Sequence, residues 1–350
     1  MTTDTQSPDA PATPSTDAES VSPGDDILID VRNLAKHFKI SRHENLVAVG
    51  GVDLTIGRGE TVGLVGESGS GKTTLGRVML RLTEPTAGEI WYGGQRISHM
   101  STGEFRKIRP KLQMVFQDPS NSLNPRMTIR TALRDAVRIL KLPRDERERR
   151  IAEVLDAVQV SDVLADSHPE ALTGSQQQRC AVARSLIMQP DLIVLDEAVS
   201  NLDVGGRLEI IELLQDVQER FGVSYLFISH DLTAVRSISH RVAVMYLGLV
   251  VEFAPTDTVF ENPVHPYTRS LLSAVLYPDP DAGLPEYALS GEIPSPINLP
   301  PGCNLYSRCP VREPECERWE AELLPVERSG GIGNHGAACR RLDDILAGRA

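Results

Sequence analysis

A glycine-rich stretch, GESGSGKT from Gly66 to Thr73, carries the strongest chemical signal in the sequence. It follows the apolar run TVGLV and precedes TLGRVMLRL, which has a helical pattern. In this context the glycines let backbone amides converge on phosphate oxygens, Lys72 reaches the β- and γ-phosphates, and Thr73 offers a hydroxyl to Mg²⁺. A flexible Gly/Ser loop is the alternative. The residues expected to contact phosphate are Gly66, Glu67, Ser68, Gly69, Ser70, Gly71, Lys72, Thr73 and Thr74.

Two further apolar runs end in side chains suited to phosphate chemistry. LIVLDEAVSNLD places Asp196 at a strand end, where we expect it to bind Mg²⁺, usually through water, with Glu197 beside it as a general base. A solvated turn is the alternative for two adjacent acids. In SYLFISHDL, His230 also ends an apolar strand and could contact a γ-phosphate. Because a lone histidine after a strand is more often structural, this assignment depends on its neighbours.

The elements that must position these groups show in the pattern of the chain. From Ile27, β-rich runs alternate with helical stretches, which predicts an α/β domain around a largely parallel sheet. Between residues 117 and 175 the pattern becomes helical, and one segment has an apolar face. That face consists of Ile151, Val154, Leu155 and Val158. Beyond Pro255 the chain is rich in Pro and Gly, which indicates a separate C-terminal segment.

Composition narrows the classes of function. The chain has 36 Lys and Arg against 48 Asp and Glu, a net charge of −12, so we expect no nucleic-acid partner. No run reaches the ~18 to 20 apolar residues needed to span a bilayer, and the N-terminus lacks a secretory signal pattern. We therefore expect a cytosolic chain that could dock on a membrane protein. Residues 1–26 are rich in Thr, Ser, Pro and Asp, which predicts a disordered tail.

Four of the five cysteines, called the tail cysteines below, lie in the last 48 residues. They are Cys303, Cys309, Cys316 and Cys339. Disulfides are disfavoured in the cytosol, so a metal site accounts better for the cluster. Four thiolates satisfy either zinc or an iron–sulfur cluster, and free thiols are the third alternative. The fifth, Cys180, is most simply a small buried side chain.

Taken as a set, the motifs resemble the ATP-binding subunits of ABC transporters. The glycine-rich loop, QMVFQDP, LTGSQQQR, the Asp-Glu pair, SNLD and SHD occur in the family's order between Ile27 and Pro255. VFQDPSNSLNPRM and ENPVHPYTRSLLSAV are similar to the oligopeptide/dipeptide importer subgroup, whose cysteine-rich tail can hold a [4Fe–4S] cluster. The resemblance implies an α/β P-loop NTPase with a RecA-like core, an antiparallel β subdomain, a helical insertion and a Cys-rich C-terminal extension. The implied bounds are 27–255 for the nucleotide-binding domain, about 118–178 for the helical insertion and 256–350 for the extension.

The function implied by the resemblance is ATP hydrolysis that energises uptake of oligopeptides or dipeptides at the cytoplasmic face of the membrane. Two subunits would enclose two ATP molecules head to tail, each site combining one P-loop with the other chain's signature, LTGSQQQR. The expected partners are a related, non-identical ATPase subunit, two membrane permease subunits and, indirectly, an extracytoplasmic solute-binding protein. The expected cofactors are ATP, Mg²⁺ and a [4Fe–4S] cluster on the tail cysteines.

Several residue roles follow from the same resemblance. Gln117 would couple the γ-phosphate and Mg²⁺ to the helical insertion, which contacts the permease. Phe38 lies where the family places an aromatic ring that stacks on adenine, although it could equally be a core residue of the first strand. The implied Mg²⁺ ligands are Thr73, Gln117 and Asp196. The remaining nucleotide contacts are Thr173, Gly174, Ser175, Gln176 and Asp203.

Ser175 departs from the family's Leu-Ser-Gly-Gly-Gln signature. A serine adds a Cβ where the backbone amide approaches phosphate, with expected steric and dihedral costs of ~1 kcal/mol or more. Because the signature serves the partner's P-loop, we hypothesise two unequal sites in a heterodimer, with hydrolysis at the site that contains Lys72. A tolerated substitution is the alternative.

Two other classes of function make different predictions about the sequence. A soluble ABC protein acting in translation or DNA repair would carry a second ATPase domain or a long coiled-coil insertion, and this sequence shows neither. A nonhydrolysing ATP-binding module would lack Glu197 or His230, and both are present.

Overall fold

A computed structural model describes residues 26–276, 289–297, 299, 301–326 and 335–349. The predicted N-terminal tail therefore lies outside the described residues, apart from Asp26. The strands are β1 (Ile27–Lys39), β2 (Asn45–Gly57), β3 (Thr61–Val65), β4 (Ala87–Tyr92), β5 (Gln95–Arg96), β6 (Leu112–Val115), β7 (Leu192–Asp196), β8 (Ser224–Ile228), β9 (Arg241–Tyr246), β10 (Leu249–Pro255), β11 (Leu324–Pro325) and β12 (Gly336–Ala337). The helices are α1 (Lys72–Met79), α2 (Thr102–Ile108), α3 (Pro119–Ser122), α4 (Ile129–Val137), α5 (Arg144–Ala157), α6 (Asp162–Ala165), α7 (Gly174–Leu186), α8 (Val204–Phe221), α9 (Leu232–Ile238), α10 (Thr256–Glu261), α11 (Pro266–Leu276) and α12 (Leu342–Leu346).

Two sheets form the framework of the fold. One is antiparallel with the order β2-β1-β4-β5, and the larger has the order β11-β12-β10-β9-β3-β8-β7-β6. From β9 to β6 the neighbouring strands of the larger sheet run parallel. The predicted α/β core with an antiparallel β subdomain is confirmed. Because parallel strands end at the same edge of a sheet, the residues that follow β3, β7 and β8 meet there.

The central strands are buried along their whole length. Every residue of β3, β7 and β8 is buried, as the continuous apolar run LIVLD predicts for a strand covered on both faces. Each fully buried Leu, Ile or Val side chain stabilises the fold by roughly 1.5 to 3 kcal/mol. The strand ends that carry the candidate site are therefore fixed by the core.

The predicted helical insertion lies between β6 and α7 and includes α4, α5 and α6. All four residues predicted to form its apolar face are buried, so that prediction is confirmed. They pack in one core cluster with Ile129, Leu133 and Val137, which are the buried positions of α4. The acidic residues Asp145 and Glu146 occupy the first turn of α5, where they complement the positive end of the helix.

The described residues beyond Pro255 contact the core sheet at several points. β12 pairs with β10, and β11 pairs with β12, so the C-terminal segment extends the larger sheet. Glu252 of β10 is fully buried and accepts hydrogen bonds from the backbone amides of Val264 (2.9 Å) and His265 (3.0 Å). His335 Nε2 lies 2.8 Å from the same carboxylate. A buried carboxylate thus ties two parts of the C-terminal segment to the core.

Candidate nucleotide site

The glycine-rich loop connects β3 to α1 and needs glycine at its tightest points. Gly66 (φ 149°) and Gly71 (φ 105°) both have positive φ. A Cβ at Gly66 would lie 2.1 Å from Met245 O, and one at Gly71 would lie 2.0 Å from Ala48 O. No larger side chain fits at either position, so the backbone path that presents the loop amides depends on these glycines.

The Lys72 ammonium folds back on the loop. Its Nζ donates hydrogen bonds to Gly66 O (2.8 Å) and Glu67 O (2.9 Å). Burial lowers the pKa of Lys72, and the negative charges of Glu197, Asp196 and Glu67 oppose that shift. An anionic ligand at the loop would give this buried cation the strong partner that two carbonyl oxygens do not, which fits the predicted contact with phosphate.

Thr73 and Asp196 meet at the start of α1. Thr73 Oγ1 donates a hydrogen bond to Asp196 Oδ1 at 2.8 Å. Asp196 is only 3% exposed; burial raises its pKa, and the hydrogen bond from Thr73 opposes that shift. A hydroxyl and a carboxylate oxygen are the hard ligands that Mg²⁺ prefers, so these two residues could hold the cation together with phosphate and water.

Glu197 lies at the centre of the predicted catalytic group. It has φ 49°, which is uncommon for a residue other than glycine, and its backbone amide donates to Ile228 O at 2.9 Å. Gln117 Nε2 donates to Glu197 Oε2 at 2.8 Å, and His230 Nδ1 lies 3.6 Å from Glu197 Oε1. The structure therefore brings Gln117, Glu197 and His230 together, although they come from three separate parts of the sequence.

Phe38 lies on β1 and is 42% exposed. The alternative that it is a core residue is therefore wrong. Lys36 Nζ lies 5.0 Å from the centre of the Phe38 ring, which is within cation–π distance. The exposed ring leaves adenine stacking as the prediction for this residue.

The signature begins α7 with a capping box. Thr173 Oγ1 accepts a hydrogen bond from the Gln176 amide (3.3 Å), and Gln176 Oε1 accepts one from the Thr173 amide (3.0 Å). Asp203 caps α8 with a single hydrogen bond, which its side chain accepts from the Gly206 amide at 3.0 Å. Among the described residues, the open groove that these two helix starts share, called the signature groove below, is lined by no P-loop residue. The signature residues thus lie apart from this chain's own Lys72.

Ser175 lies in the first turn of α7 with an ordinary helical backbone. The expected dihedral cost is therefore wrong, because this position does not require the positive φ that glycine favours. The steric part of the argument remains. Ser175 lines the signature groove, and its Cβ lies 3.6 Å from where a Cβ on Gly206 would be.

The tail cysteines are free thiols that line one small cavity, together with His265, Leu305 and Trp319. Burial raises the pKa of Cys309 to about 11 and that of Cys339 to about 12. Within the described residues, no group of three or more His, Cys, Asp or Glu side chains is arranged to hold a metal ion. The expected [4Fe–4S] cluster is therefore not supported, although the four thiols do share a cavity.

Two residues that sequence reasoning missed contact the P-loop. The Glu67 amide donates to Tyr267 Oη at 2.8 Å, and Arg308 forms an ion pair with the Glu67 carboxylate at 3.1 Å. Tyr267 lies within ENPVHPYTRSLLSAV, which served only to indicate the subgroup. No sequence motif indicated a role for Arg308, because its partner Glu67 lies 241 residues away in the chain.

Comparison with known proteins agrees with this geometry. The chain matches the ABC transporter family over residues 49–200 and the C-terminal region of the oligopeptide/dipeptide transporter family over residues 251–316. It is 41% identical over 338 residues to the oligopeptide transport ATP-binding protein OppF of Escherichia coli, covering 93% of this chain and 99% of that protein.

Solved structures give the same result for the fold. The cbiO1 protein of Clostridium perfringens, part of the ABC transporter complex cbiONQ, superposes with a TM-score of 0.62 at 29% identity over 68% of this chain and 92% of that one. The ATP-binding cassette MJ0796, solved as a dimer in a post-hydrolysis state with ADP and Pi, gives a TM-score of 0.59 at 29% identity over 65% of this chain and 99% of that one. The chain belongs to the ABC transporter family of ATP-binding subunits, in its oligopeptide/dipeptide branch. None of the helices in the described part is long and apolar enough to cross a membrane.

Proposed function

We propose that this chain hydrolyses ATP to energise an ABC importer of oligopeptides or dipeptides. The observation that carries the proposal is the meeting of Lys72, the Thr73–Asp196 pair and the Glu197–Gln117 pair at one edge of the parallel sheet. The match of residues 251–316 to the oligopeptide/dipeptide branch favours this function over a soluble ABC protein.

The residues of the candidate site would each have a separate role in phosphoryl transfer from ATP to water. Lys72 would leave the carbonyls of Gly66 and Glu67 to neutralise the β- and γ-phosphates. Thr73 and Asp196 would hold Mg²⁺, which neutralises charge that develops on the phosphate oxygens. The Glu197 carboxylate would accept a proton from the attacking water while Gln117 holds its other oxygen in place. His230 Nδ1 lies 3.6 Å from Glu197 Oε1, so its imidazole would contact the γ-phosphate that the water attacks.

The position of the signature groove supports a head-to-tail dimer. Thr173, Ser175 and Gln176 line a groove that excludes this chain's P-loop in the described part, so a second subunit would complete each site. The second subunit would be a related, non-identical chain, and the two sites would then be unequal, because Ser175 would lie in only one of them. Two membrane permease subunits and an extracytoplasmic solute-binding protein would complete the importer, with this chain at the cytoplasmic face.

The proposed division of the chain remains as the sequence predicts it. Residues 27–255 would form the nucleotide-binding domain and residues 256–350 the extension. Among the described residues, the Glu252–Val264 and Glu67–Arg308 contacts join the two parts. The shared cavity supports a common role for the tail cysteines, and a [4Fe–4S] cluster there stays a prediction.

ATP hydrolysis by the complete transporter in liposomes tests the proposal. We expect peptide-loaded binding protein to stimulate hydrolysis, because importers of this kind couple ATP turnover to delivery of the substrate. Stimulation should disappear when the chain carries Lys72→Ala and persist with Lys107→Ala, which removes an exposed lysine of α2. Hydrolysis that is independent of both peptide and permease would instead favour a soluble ATPase.

A further inference from the structure

The P-loop contains a carboxylate, that of Glu67, which would repel a bound triphosphate if no cation lay beside it. Glu67 follows the first glycine of the loop, and both of its oxygens lie near the Arg308 guanidinium, with N–O distances of 3.1 to 3.4 Å. The Arg308 side chain is 10% exposed and that of Glu67 is 30% exposed, so water screens this ion pair less than it screens an ordinary surface pair. Among the described residues, no other cation forms an ion pair with Glu67.

Arg308 is held in place by packing. Its guanidinium carbon lies 5.8 Å from the centre of the Tyr246 ring, and Nη1 lies 3.4 Å from Tyr246 Oη. The Tyr246 and Tyr267 rings are 4.6 Å apart, both are 1% exposed, and Tyr267 Oη accepts from the Glu67 amide. The backbone and the side chain of Glu67 are therefore fixed by two residues of the C-terminal segment.

Two further hydrogen bonds link the part of the C-terminal segment that contains Arg308 to Ser70 of the P-loop. Residues 303–309, called the tail turn below, include Asn304, whose Nδ2 donates to Leu247 O at 3.2 Å. The next residue along, Gly248, donates its amide to Ser70 O at 2.9 Å. The tail turn thus contacts the P-loop directly at Glu67 and is linked to Ser70 indirectly, through the β9–β10 connection.

We propose that Arg308 is a positioning residue for ATP binding, through which the tail turn sets the affinity of the P-loop for nucleotide. By neutralising Glu67 and holding its carboxylate, Arg308 lowers the repulsion between the loop and the triphosphate. Without Arg308, an unpaired and partly buried negative charge stands in the loop that must receive ATP. The inference depends on the proposed function only in taking the P-loop as the ATP site.

Calorimetric titration of the full-length chain with Mg²⁺–ATP tests this inference. We expect Arg308→Ala to weaken ATP binding at least tenfold, which is about 1.4 kcal/mol. Adding Glu67→Gln to that variant should bring the affinity back to within about threefold of the Glu67→Gln single variant, because the unpaired charge is gone. Arg312→Ala is the matched control. Within the part of the chain that the structure describes, this exposed arginine donates a hydrogen bond to Ser307 O and none to the P-loop, so its loss should leave the affinity unchanged.

The outcomes separate this inference from the proposed function. No ATP binding by the wild-type chain would overturn the function itself, whereas wild-type affinity in Arg308→Ala would overturn only the role of Arg308. Equal weakening in Arg308→Ala and in the double variant would show a structural role and contradict the charge argument. If Arg308→Ala does not fold, Arg308→Lys is compared with Arg308→Met, which is neutral and of similar length. The lysine variant must then bind ATP more tightly, and equal affinities would refute the inference.

Discussion

Replacing Glu197 by Gln separates the chemistry of ATP hydrolysis from ATP binding. Glutamine has the same length as glutamate. Its side-chain oxygen can still accept the hydrogen bond that Gln117 Nε2 donates to Glu197 Oε2 at 2.8 Å in the wild-type chain. The amide cannot accept a proton from water. Because general-base catalysis typically contributes 10²- to 10⁴-fold, we expect hydrolysis to fall by that factor, or about 3 to 5 kcal/mol in the barrier.

ATP binding, unlike hydrolysis, should not be weakened by this substitution. Glu197→Gln removes one negative charge beside the phosphate site, so ATP affinity should be equal to that of the wild type or tighter. Single-turnover hydrolysis of radiolabelled ATP by the assembled transporter measures the chemical step, and calorimetry measures binding. Glu212→Gln is the matched control, since Glu212 is exposed on α8. Wild-type hydrolysis in Glu197→Gln would refute the general-base assignment.

Three further predictions concern the signature, His265 of the C-terminal segment and the tail cysteines. Ser175→Gly should raise ATP turnover of the assembled transporter by less than about tenfold, because only the steric cost of the Cβ remains; unchanged turnover would show that serine is tolerated. Burial lowers the pKa of His265 from 6.5 to about 4, so the folded protein resists protonation there and should lose stability as the pH falls through this range. Thermal unfolding should show a loss of up to about 3 kcal/mol that His265→Asn reduces, and identical pH curves would contradict this. For the tail cysteines, iron, acid-labile sulfide and absorbance near ~400 nm in the purified protein would support a cluster, whereas stoichiometric zinc without iron would reject it.

Local motifs predicted at which strand and helix ends most residues of the candidate site lie. The P-loop needs only a strand, glycines and a helix in sequence, so its position between β3 and α1 follows from residues 61–79 alone. The meeting of Asp196 with Thr73 follows from one further rule, that parallel strands end at the same edge of a sheet.

The parts that were missed depend on contacts between distant residues. Nothing near Arg308 in the sequence indicates that it pairs with Glu67, because the pairing exists only once the C-terminal segment packs on the core. The exposure of Phe38 likewise depends on what covers β1, and strand periodicity does not report this. The dihedral cost predicted at Ser175 was wrong because the capping box of Thr173 and Gln176 makes α7 begin at Gly174. Ser175 therefore already has a helical backbone.

Peptide uptake into liposomes that contain the complete transporter and internal ATP tests the central claim most directly. The account predicts ATP-dependent accumulation of labelled peptide with the wild-type chain and with Lys107→Ala. It predicts loss of accumulation with Lys72→Ala. This substitution removes the ammonium that donates hydrogen bonds to the carbonyls of Gly66 and Glu67 in the P-loop. Undiminished uptake with Lys72→Ala would contradict the claim that this chain supplies the energy for import.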